Sequence, residues 1–246
     1  MKQIVNFEDL GQLDYQSAWD YQEQLMKANL DIKTKNRLLQ LAGADNAWQN
    51  KVEKQSTSNH LLFVEHPAVY TLGKSGKKEH VLINEDDRIE KGIQFFNTNR
   101  GGDITFHGPQ QIVGYPILDL ENFFTDIGLY LRTLEEMIIL TLSDYGLVGG
   151  RSHGETGVWL DAGIAGKERK ICAMGVRCSR WITMHGFAFN VNTDLSYFNH
   201  IIPCGIKGKQ VTSLKKELGY AINMEEVKQK IKKNFSACFN VEFREI

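Results

Sequence analysis

Apolar residues recur at helical spacing in two segments of the chain. The clearest stripe consists of Ile127, Leu131, Leu134, Ile138 and Leu142. Positions three and four apart share one face of a helix, so this stripe predicts a helix that ends at Gly146. A second stripe over residues 224–235 predicts another helix, with Asn223 as its N-cap and Glu226 placed to complete a capping box. Residues 15–30 predict a further helix.

Between the helices the pattern changes to short β-type runs. The predicted strands are 60–71 (interrupted at Pro67), 92–97, 104–106, 112–118, 155–160, 170–177 and 182–191. The runs 155–160 and 170–177 form a hairpin. Because helices are separated by hairpins rather than by single strands, we expect an α+β fold with a central mixed or antiparallel sheet and packed helices. The polar, aperiodic stretch at about 43–59 predicts a loop within one domain, residues 1–246.

Composition narrows the class of protein. The chain has 246 residues, of which 42% are apolar and 24% charged, as in ordinary globular proteins. Its 29 basic and 30 acidic residues give a net charge of −1, which argues against nucleic acid as the main ligand. No run approaches the roughly 20 apolar residues of a membrane span, and no signal peptide is evident, so we expect a cytoplasmic protein. In that compartment the four cysteines are expected to be free thiols.

Three places carry candidate chemistry. In RGGDITFHGP (100–109), the glycine pair lets the backbone approach a ligand and Arg100 meet an anion; the alternative is a hairpin corner with a structural His107. Cys204 lies between proline and glycine and becomes a nucleophile if a cation is near; the alternative is an incidental loop cysteine. Lys170 opens an apolar strand and is a usable base if desolvated; the alternative is a solvated charge cluster.

Several common motifs are missing from the sequence. It has no G-x-x-x-x-G-K-[ST] phosphate loop, no G-x-S-x-G elbow and no H-E-x-x-H helix. The cysteines Cys172, Cys178 and Cys204 lack the close pairing of zinc knuckles. ATPase, α/β-hydrolase and metal-site hypotheses therefore lose support. Cys172, in an apolar strand, and Cys238 are expected to be buried and inert.

Four further runs of the sequence are RGGDITFHGP (100–109), KICAMGVR (170–177), HGFAFNVNTDLSYF (185–198) and IIPCGI (201–206). Together they resemble the lipoyl(octanoyl) transferases of lipoate biosynthesis. The runs VEHPAVYTLGKSG (64–76), GYPILDL (114–120) and VTSLKKELG (211–219) also fit. The resemblance covers residues 14–219 and implies a fold like that of the biotin/lipoate protein ligases, an α+β domain with a mixed sheet.

The resemblance also implies the site residues. Cys204 takes the position of the cysteine that carries the acyl group as a thioester, and Lys170 that of the lysine that assists it. The residues implied to contact the substrate are Arg100, Gly101, Gly102, Asp103, Ile104, Thr105, Phe106, His107, Ala173, Met174, Gly175, Gly186, Phe187 and Ala188. For the acyl tunnel we expect apolar lining from Phe106, Ile171, Met174, Phe187 and Phe189. Neither a cofactor nor a metal is implied. Gln110 departs from the family, which has glycine at that turn.

The implied reaction moves an octanoyl group from octanoyl-acyl carrier protein to a lysine of apo lipoyl domains. Those acceptors are the E2 subunits of 2-oxoacid dehydrogenases and the glycine cleavage H protein, and no membrane or nucleic acid takes part. The nearest alternative is an ATP-dependent lipoate–protein ligase, whose block has Asp after the histidine where this chain has Gly108. A catalytically dead carrier-binding module is a second alternative. Biotin ligation is disfavoured because no GRGRxG-type block is present.

Overall fold

The computed structural model describes residues 2–44, 54–202 and 210–246. Its helices are α1 (Tyr15–Ala44), α2 (Glu85–Glu90), α3 (Ile127–Ser143), α4 (Leu214–Leu218) and α5 (Met224–Phe239). Its strands are β1 (Gln3–Gln12), β2 (Asn59–Glu65), β3 (Val69–Leu72), β4 (Gln94–Asn97), β5 (Ile104–His107), β6 (Gln111–Ile117), β7 (Gly149–Gly150), β8 (Val158–Leu160), β9 (Arg169–Ser179), β10 (Ile182–Asn190), β11 (Gln210–Val211) and β12 (Val241–Glu245).

The strands form one large sheet and one small sheet. The large sheet has the order β12-β1-β2-β6-β10-β9-β8-β7, and β11 pairs with β9. It is parallel from β12 to β2 and antiparallel from β2 to β7. The small sheet has the order β4-β3-β5. The expected α+β fold with a mixed sheet is therefore confirmed.

The large sheet separates two layers of helices because side chains alternate between the faces of a strand. On β10, Phe187 and Phe189 point into a core shared with α3 and α5, while Met184 and Ala188 join a second core shared with α1. The small sheet has its own cluster around Phe106. The central strands are buried on both faces, which makes them a rigid support for side chains near their ends.

Most predicted elements are present. The predicted strands are found with bounds that differ by at most three residues. The run 60–71 divides at Pro67 into β2 and β3, which lie in different sheets. The predicted helix after 127 is α3, and Gly146 follows its end with φ +73°. The prediction for Asn223 is also confirmed, since its side chain accepts from the backbone N–H groups of Glu225 and Glu226. The Glu226 carboxylate accepts from the Tyr145 hydroxyl at 3.2 Å, so the capping box is not the contact it makes.

The first helix begins at Tyr15 as predicted, but it is longer than predicted and the polar loop is shorter. Helix α1 continues past residue 30 to Ala44, so Gly43 and Ala44 are helical, and residue 59 begins β2. Beyond residue 30 the helix has good helix formers but little apolar stripe, and Leu38 and Leu41 are exposed. The apolar period therefore does not predict the part of α1 that extends away from the core. Residues 45–53 of the predicted loop lie outside the described residues.

Strands β1 and β12, at one side of the large sheet, were not predicted. They pair in parallel, with Gln3 opposite Val241 and Phe7 opposite Glu245. Val5 and Phe7 of β1 are buried in alternation, but the remaining positions of β1 and the five residues of β12 follow no clear apolar alternation. In the part of the chain that the structure describes, no helix has the length and apolar character needed to cross a bilayer.

Candidate active site

A cavity of about 580 Å³ lies between β9, β10 and the loop that precedes β5. Lys170 lines it. So do the following residues of the predicted substrate blocks: Arg100, Gly101, Gly102, Asp103, Ile104, Thr105, His107, Ala173, Met174, Gly175, Gly186, Phe187 and Ala188. Three stretches that are far apart in sequence thus meet at one place. Residues that sequence reasoning did not select also line it, among them Tyr15, Gln111, Glu155 and His185.

Phe106 does not line the cavity. Its ring stacks on Tyr197 with centroids 4.5 Å apart and packs in the cluster of the small sheet. Of the other residues expected to line an acyl tunnel, Met174 and Phe187 line the cavity, whereas Ile171 and Phe189 lie in the main core. Phe106 shares its face of β5 with Ile104, and both belong to that cluster, although Ile104 also reaches the cavity.

Arg100 braces the loop that carries the glycine pair. One guanidinium nitrogen, Nη2, donates to the Thr71 carbonyl at 2.6 Å and to its hydroxyl at 2.9 Å. The other, Nη1, donates to the Gly101 carbonyl at 3.0 Å. These bonds tie the loop to β3. Arg100 therefore has a structural task in addition to the anion contact that its position predicts.

Close packing explains two of the predicted substrate-contacting glycines. A Cβ on Gly175 would lie 2.7 Å from the Gly101 carbonyl oxygen and 3.2 Å from Cδ of Arg100. A Cβ on Gly186 would lie 2.2 Å from the Gly114 carbonyl oxygen. Real side chains do not tolerate such contacts with backbone. Glycine at both positions is required by the protein itself, whatever the ligand.

His107 belongs to a buried chain of hydrogen bonds. The Gln111 amide nitrogen donates to Phe106 O and to Asn190 Oδ1, which turns its Oε1 towards Nδ1 of His107 at 2.9 Å. His107 therefore carries its proton on Nδ1, and Nε2 accepts from the Thr71 hydroxyl at 3.3 Å. Burial, with a smaller contribution from neighbouring His66, holds the pKa of His107 well below its usual range. A neutral ring with both nitrogens engaged is poorly suited to stabilise an oxyanion.

Two further buried histidines share this neutral character. His66 bonds the Leu13 carbonyl and the Tyr115 hydroxyl, and burial lowers its pKa to about 4. His185 lies 2.6 Å from Asn99 Oδ1, and burial, with the charges of Arg100 and Arg177, lowers its pKa to about 3. Sequence reasoning did not single out His185, although it opens the run HGFAFN. Its φ of +60° within a strand is rare for a non-glycine residue.

Lys170 is buried beside a carboxylate and an indole. Its Nζ lies 3.7 Å from Oε2 of Glu155 and 4.5 Å from the centre of the Trp159 ring. Only 8% of the Lys170 side chain is exposed, so the solvated-cluster alternative is wrong. The neighbouring Arg169 is more exposed than Lys170 and pairs with Asp161 and Glu217. Lys170 thus meets the condition of desolvation that the sequence left open.

Cys172, Cys178 and Cys238 are among the described residues, whereas Cys204 lies outside them. Burial raises the pKa of the Cys172 thiol far above its usual value, and raises those of Cys178 and Cys238 as well. These three free thiols are therefore poor nucleophiles; Cys172 is buried as expected, whereas Cys238 is only partly buried. Among the described residues, no cluster of three or more His, Cys, Asp or Glu is arranged to hold a metal ion.

Gln110 adopts the left-handed conformation that glycine would take more easily, with φ +64°. Its carbonyl accepts from Asn192 N at 3.0 Å and from the Thr193 hydroxyl at 3.1 Å, and its N–H donates to Glu65 at 2.9 Å. Its side chain accepts from the Asn192 amide at 2.9 Å. The surrounding bonds hold the turn, so the departure from the family leaves the loop compatible with a left-handed residue.

Comparisons of the sequence with known proteins give a consistent result. Residues 14–236 match the family model described as the lipoyl protein ligase A/B catalytic domain. The chain is 58% identical to an octanoyltransferase of Flavobacterium johnsoniae over 98% of this chain and 99% of that protein. It is also 58% identical to one of Christiangramia forsetii over 99% of each.

Solved structures give the same fold at lower identity. A chain of the bi-partite lipoate protein ligase system of Thermoplasma acidophilum has a TM-score of 0.67 at 17% identity, over 99% of this chain and 87% of that one. Lipoate-protein ligase A bound with ATP gives 0.67 at 15% identity, over 100% and 89%. At these identities the likeness establishes the fold, and the expectation of a lipoate ligase-like architecture is confirmed.

Proposed function

Because this chain belongs to the lipoyl protein ligase A/B catalytic domain family, and within it to the octanoyltransferases, which are acyltransferases of lipoate biosynthesis, we propose a specific donor, acceptor and intermediate. The donor is octanoyl-acyl carrier protein. The acceptors are lysines of apo lipoyl domains, in E2 subunits of 2-oxoacid dehydrogenases and in the glycine cleavage H protein. The octanoyl group passes through a thioester on Cys204. Residues 1–246 act as one catalytic domain.

The observation that carries this proposal is a buried lysine at the wall of an apolar cavity. Lys170 lines the cavity together with Met174 and Phe187, whose side chains suit an alkyl chain. Burial of each methylene of such a chain contributes about 0.8 kcal/mol. A buried amine beside an acyl-sized space is what transfer between sulfur and nitrogen requires.

The described chain on both sides of Cys204 supports its role. Phe198 before it and Val211 after it both line the cavity, and Val211 pairs with Lys170 in the sheet. Ile202 donates its N–H to the His80 carbonyl at 2.8 Å, and only Pro203 separates it from Cys204. Both ends of the segment that contains the cysteine therefore start from the cavity region.

The reaction needs positioned groups rather than ATP. The Cys204 thiolate attacks the thioester carbonyl, a C–S bond to the enzyme forms, and the bond to the donor sulfur breaks. Lys170 gives a proton to the leaving sulfur and later accepts one from the attacking amine. Exchange between two thioesters is nearly isoenergetic, and formation of the amide is downhill. Proton transfer of this kind contributes roughly 10²–10⁴-fold to the rate.

The test is to mix the protein with octanoyl-acyl carrier protein in the absence of an acceptor and of ATP. Intact mass should increase by one octanoyl group, and Cys204→Ala should abolish the increase. An increase that persists in Cys204→Ala would overturn the intermediate. If octanoyl transfer requires ATP and releases pyrophosphate, the protein is instead a ligase that forms an acyl adenylate.

A further inference from the structure

Glu155 is a residue of the cavity wall to which the reaction above gives no task. It belongs to the loop of residues 151–157, between β7 and β8, and its carboxylate lies 3.7 Å from Nζ of Lys170. Only 11% of its side chain is exposed. A carboxylate and an amine that are both withdrawn from water interact more strongly than a surface pair. The chemistry of Lys170 has to be considered together with this neighbour.

The loop is braced so that Glu155 keeps its place. The buried Glu135 of α3 accepts from the Gly157 backbone N–H at 3.0 Å. The same carboxylate pairs with Arg132 and Arg151. At the other end of the loop, the Ser152 hydroxyl donates to Glu168 at 2.9 Å. These contacts hold both ends of the short segment that presents Glu155.

Two independent features favour the charged form of the Lys170 amine. The carboxylate of Glu155 attracts an ammonium but not a neutral amine. The face of the Trp159 indole, with its ring centre 4.5 Å from Nζ, does the same through a cation–π interaction. Both oppose desolvation, which favours the neutral amine.

Two further carboxylates of this region are paired with arginines. On the side of α4, Glu217 accepts from Arg169, which also pairs with Asp161. On the side of α3, Glu135 is paired with arginines as described above. Among the described residues, the carboxylate that forms an ion pair with Lys170 is Glu155.

We propose that Glu155 is a positioning residue that keeps Lys170 protonated, so that Lys170 enters the reaction as a proton donor and not as a neutral base. This rests on the proposed function. In the first half-reaction the Cys204 thiolate forms the new C–S bond, the donor C–S bond breaks, and the leaving sulfur takes a proton from the ammonium. In the second half, neutral Lys170 takes a proton from the attacking amine as the C–N bond forms and the Cys204 thiolate departs. The ammonium and the thiolate are both regenerated.

The experiment measures single-turnover octanoylation of the full-length protein by octanoyl-acyl carrier protein between pH 6 and 10. In Glu155→Gln, which keeps the shape and removes the charge, the ammonium is lost more easily. The alkaline limb of the rate profile should therefore move by about one unit to lower pH, roughly a tenfold loss above the limb. Glu155→Asp, which keeps the charge, should move it back towards the unaltered protein.

Glu136→Gln is the matched control. It removes the same charge from a half-exposed residue that pairs with Arg151 at 2.6 Å, beside the same loop. Its alkaline limb should stay where it is in the unaltered protein. An unmoved limb in Glu155→Gln would overturn the proposal. So would an equal loss at every pH in both Glu155 variants, which would make Glu155 merely structural.

Failure of the proposed function has a different signature. If the unaltered protein gains no octanoyl group on Cys204, the intermediate itself is refuted, and the role of Glu155 is refuted with it. If the adduct forms at a normal rate and only the pH profile fails to respond to Glu155→Gln, then the inference about Glu155 alone is refuted.

Discussion

The cavity has two walls that treat burial in opposite ways. The histidine wall has His107 and His185 at the cavity and His66 packed behind His107, and it is uncharged because withdrawal from water lowers the pKa of each ring. At the lysine wall, Lys170 and Glu155 line the cavity and Trp159 packs against Lys170, so an equally buried group has a carboxylate beside it. Under the proposal made above for Glu155, burial alone does not fix protonation, and the partner decides whether a buried group stays ionised.

The largest effect should come from removing the amine of the lysine wall. Lys170→Met keeps the approximate length of the side chain but removes the charge that pairs with Glu155. We expect acyl transfer to fall by roughly 10²–10⁴-fold, because the leaving sulfur and the attacking amine lose their proton donor and acceptor. Single-turnover rates of both half-reactions measure this. A full rate in either half-reaction would remove Lys170 from that step.

The histidine wall predicts a loss of stability in acid. A buried histidine with a lowered folded-state pKa binds fewer protons than the unfolded chain, so its stabilisation is complete above pH 6.5 and is lost as the pH falls. For His66, with a folded pKa of about 4, the loss between pH 6.5 and 4 is about 3 kcal/mol. Denaturant titrations across this range should show it, and His66→Gln should flatten the slope. The same slope in His66→Gln would contradict the assignment.

Gly175→Ala tests the close packing of β9 against the loop that carries Arg100 and Gly101. The added Cβ meets the Gly101 carbonyl and Arg100, so the loop must shift, at a cost of about 1–3 kcal/mol. We expect a lower midpoint of thermal unfolding and a raised KM for the acyl donor. Ala173→Gly, at the adjacent cavity position, is the control for a small change without a clash. Unchanged stability in Gly175→Ala would show that the loop yields freely.

The smallest effect concerns the turn that follows His107. Gln110→Gly relieves a left-handed residue but gives up the bond to Asn192, and these roughly cancel, so the free energy of unfolding should change by about 0.5 kcal/mol or less. Gln110→Val should be about 1–2 kcal/mol less stable than Gln110→Gly, since a branched side chain tolerates this conformation poorly. Equal stability of the two variants in chemical denaturation would refute this explanation.

Sequence patterns predicted those elements whose burial is regular. Helix α3 carries its apolar residues at the helical period, and strand β10 is a run that is buried along its whole length, so both were found with nearly correct bounds. The extension of α1 beyond residue 30 was missed because that part of the helix buries little. The parallel pairing of β1 with β12 joins the two ends of the chain, and short-range patterns carry no information about it.

The candidate site was likewise predicted only in part. The long motifs predicted Arg100 and Gly175 as site residues. The structure adds that the two residues pack against each other. Glu155 was missed because it was predicted as the first residue of the strand 155–160, whereas it lies in the loop before β8, and its partner is fifteen positions away in sequence. The neutral state of His107 depends on burial and its tautomer depends on Gln111, and both become visible only after folding.

The most direct test of the account is a chase of the isolated octanoyl-enzyme. The protein is octanoylated on Cys204, freed from the donor, and mixed with an apo lipoyl domain. The account predicts that the octanoyl group appears on the acceptor lysine at least as fast as steady-state turnover. An adduct that stays on the enzyme while turnover from octanoyl-acyl carrier protein continues would contradict it, since the thioester would then lie off the reaction path.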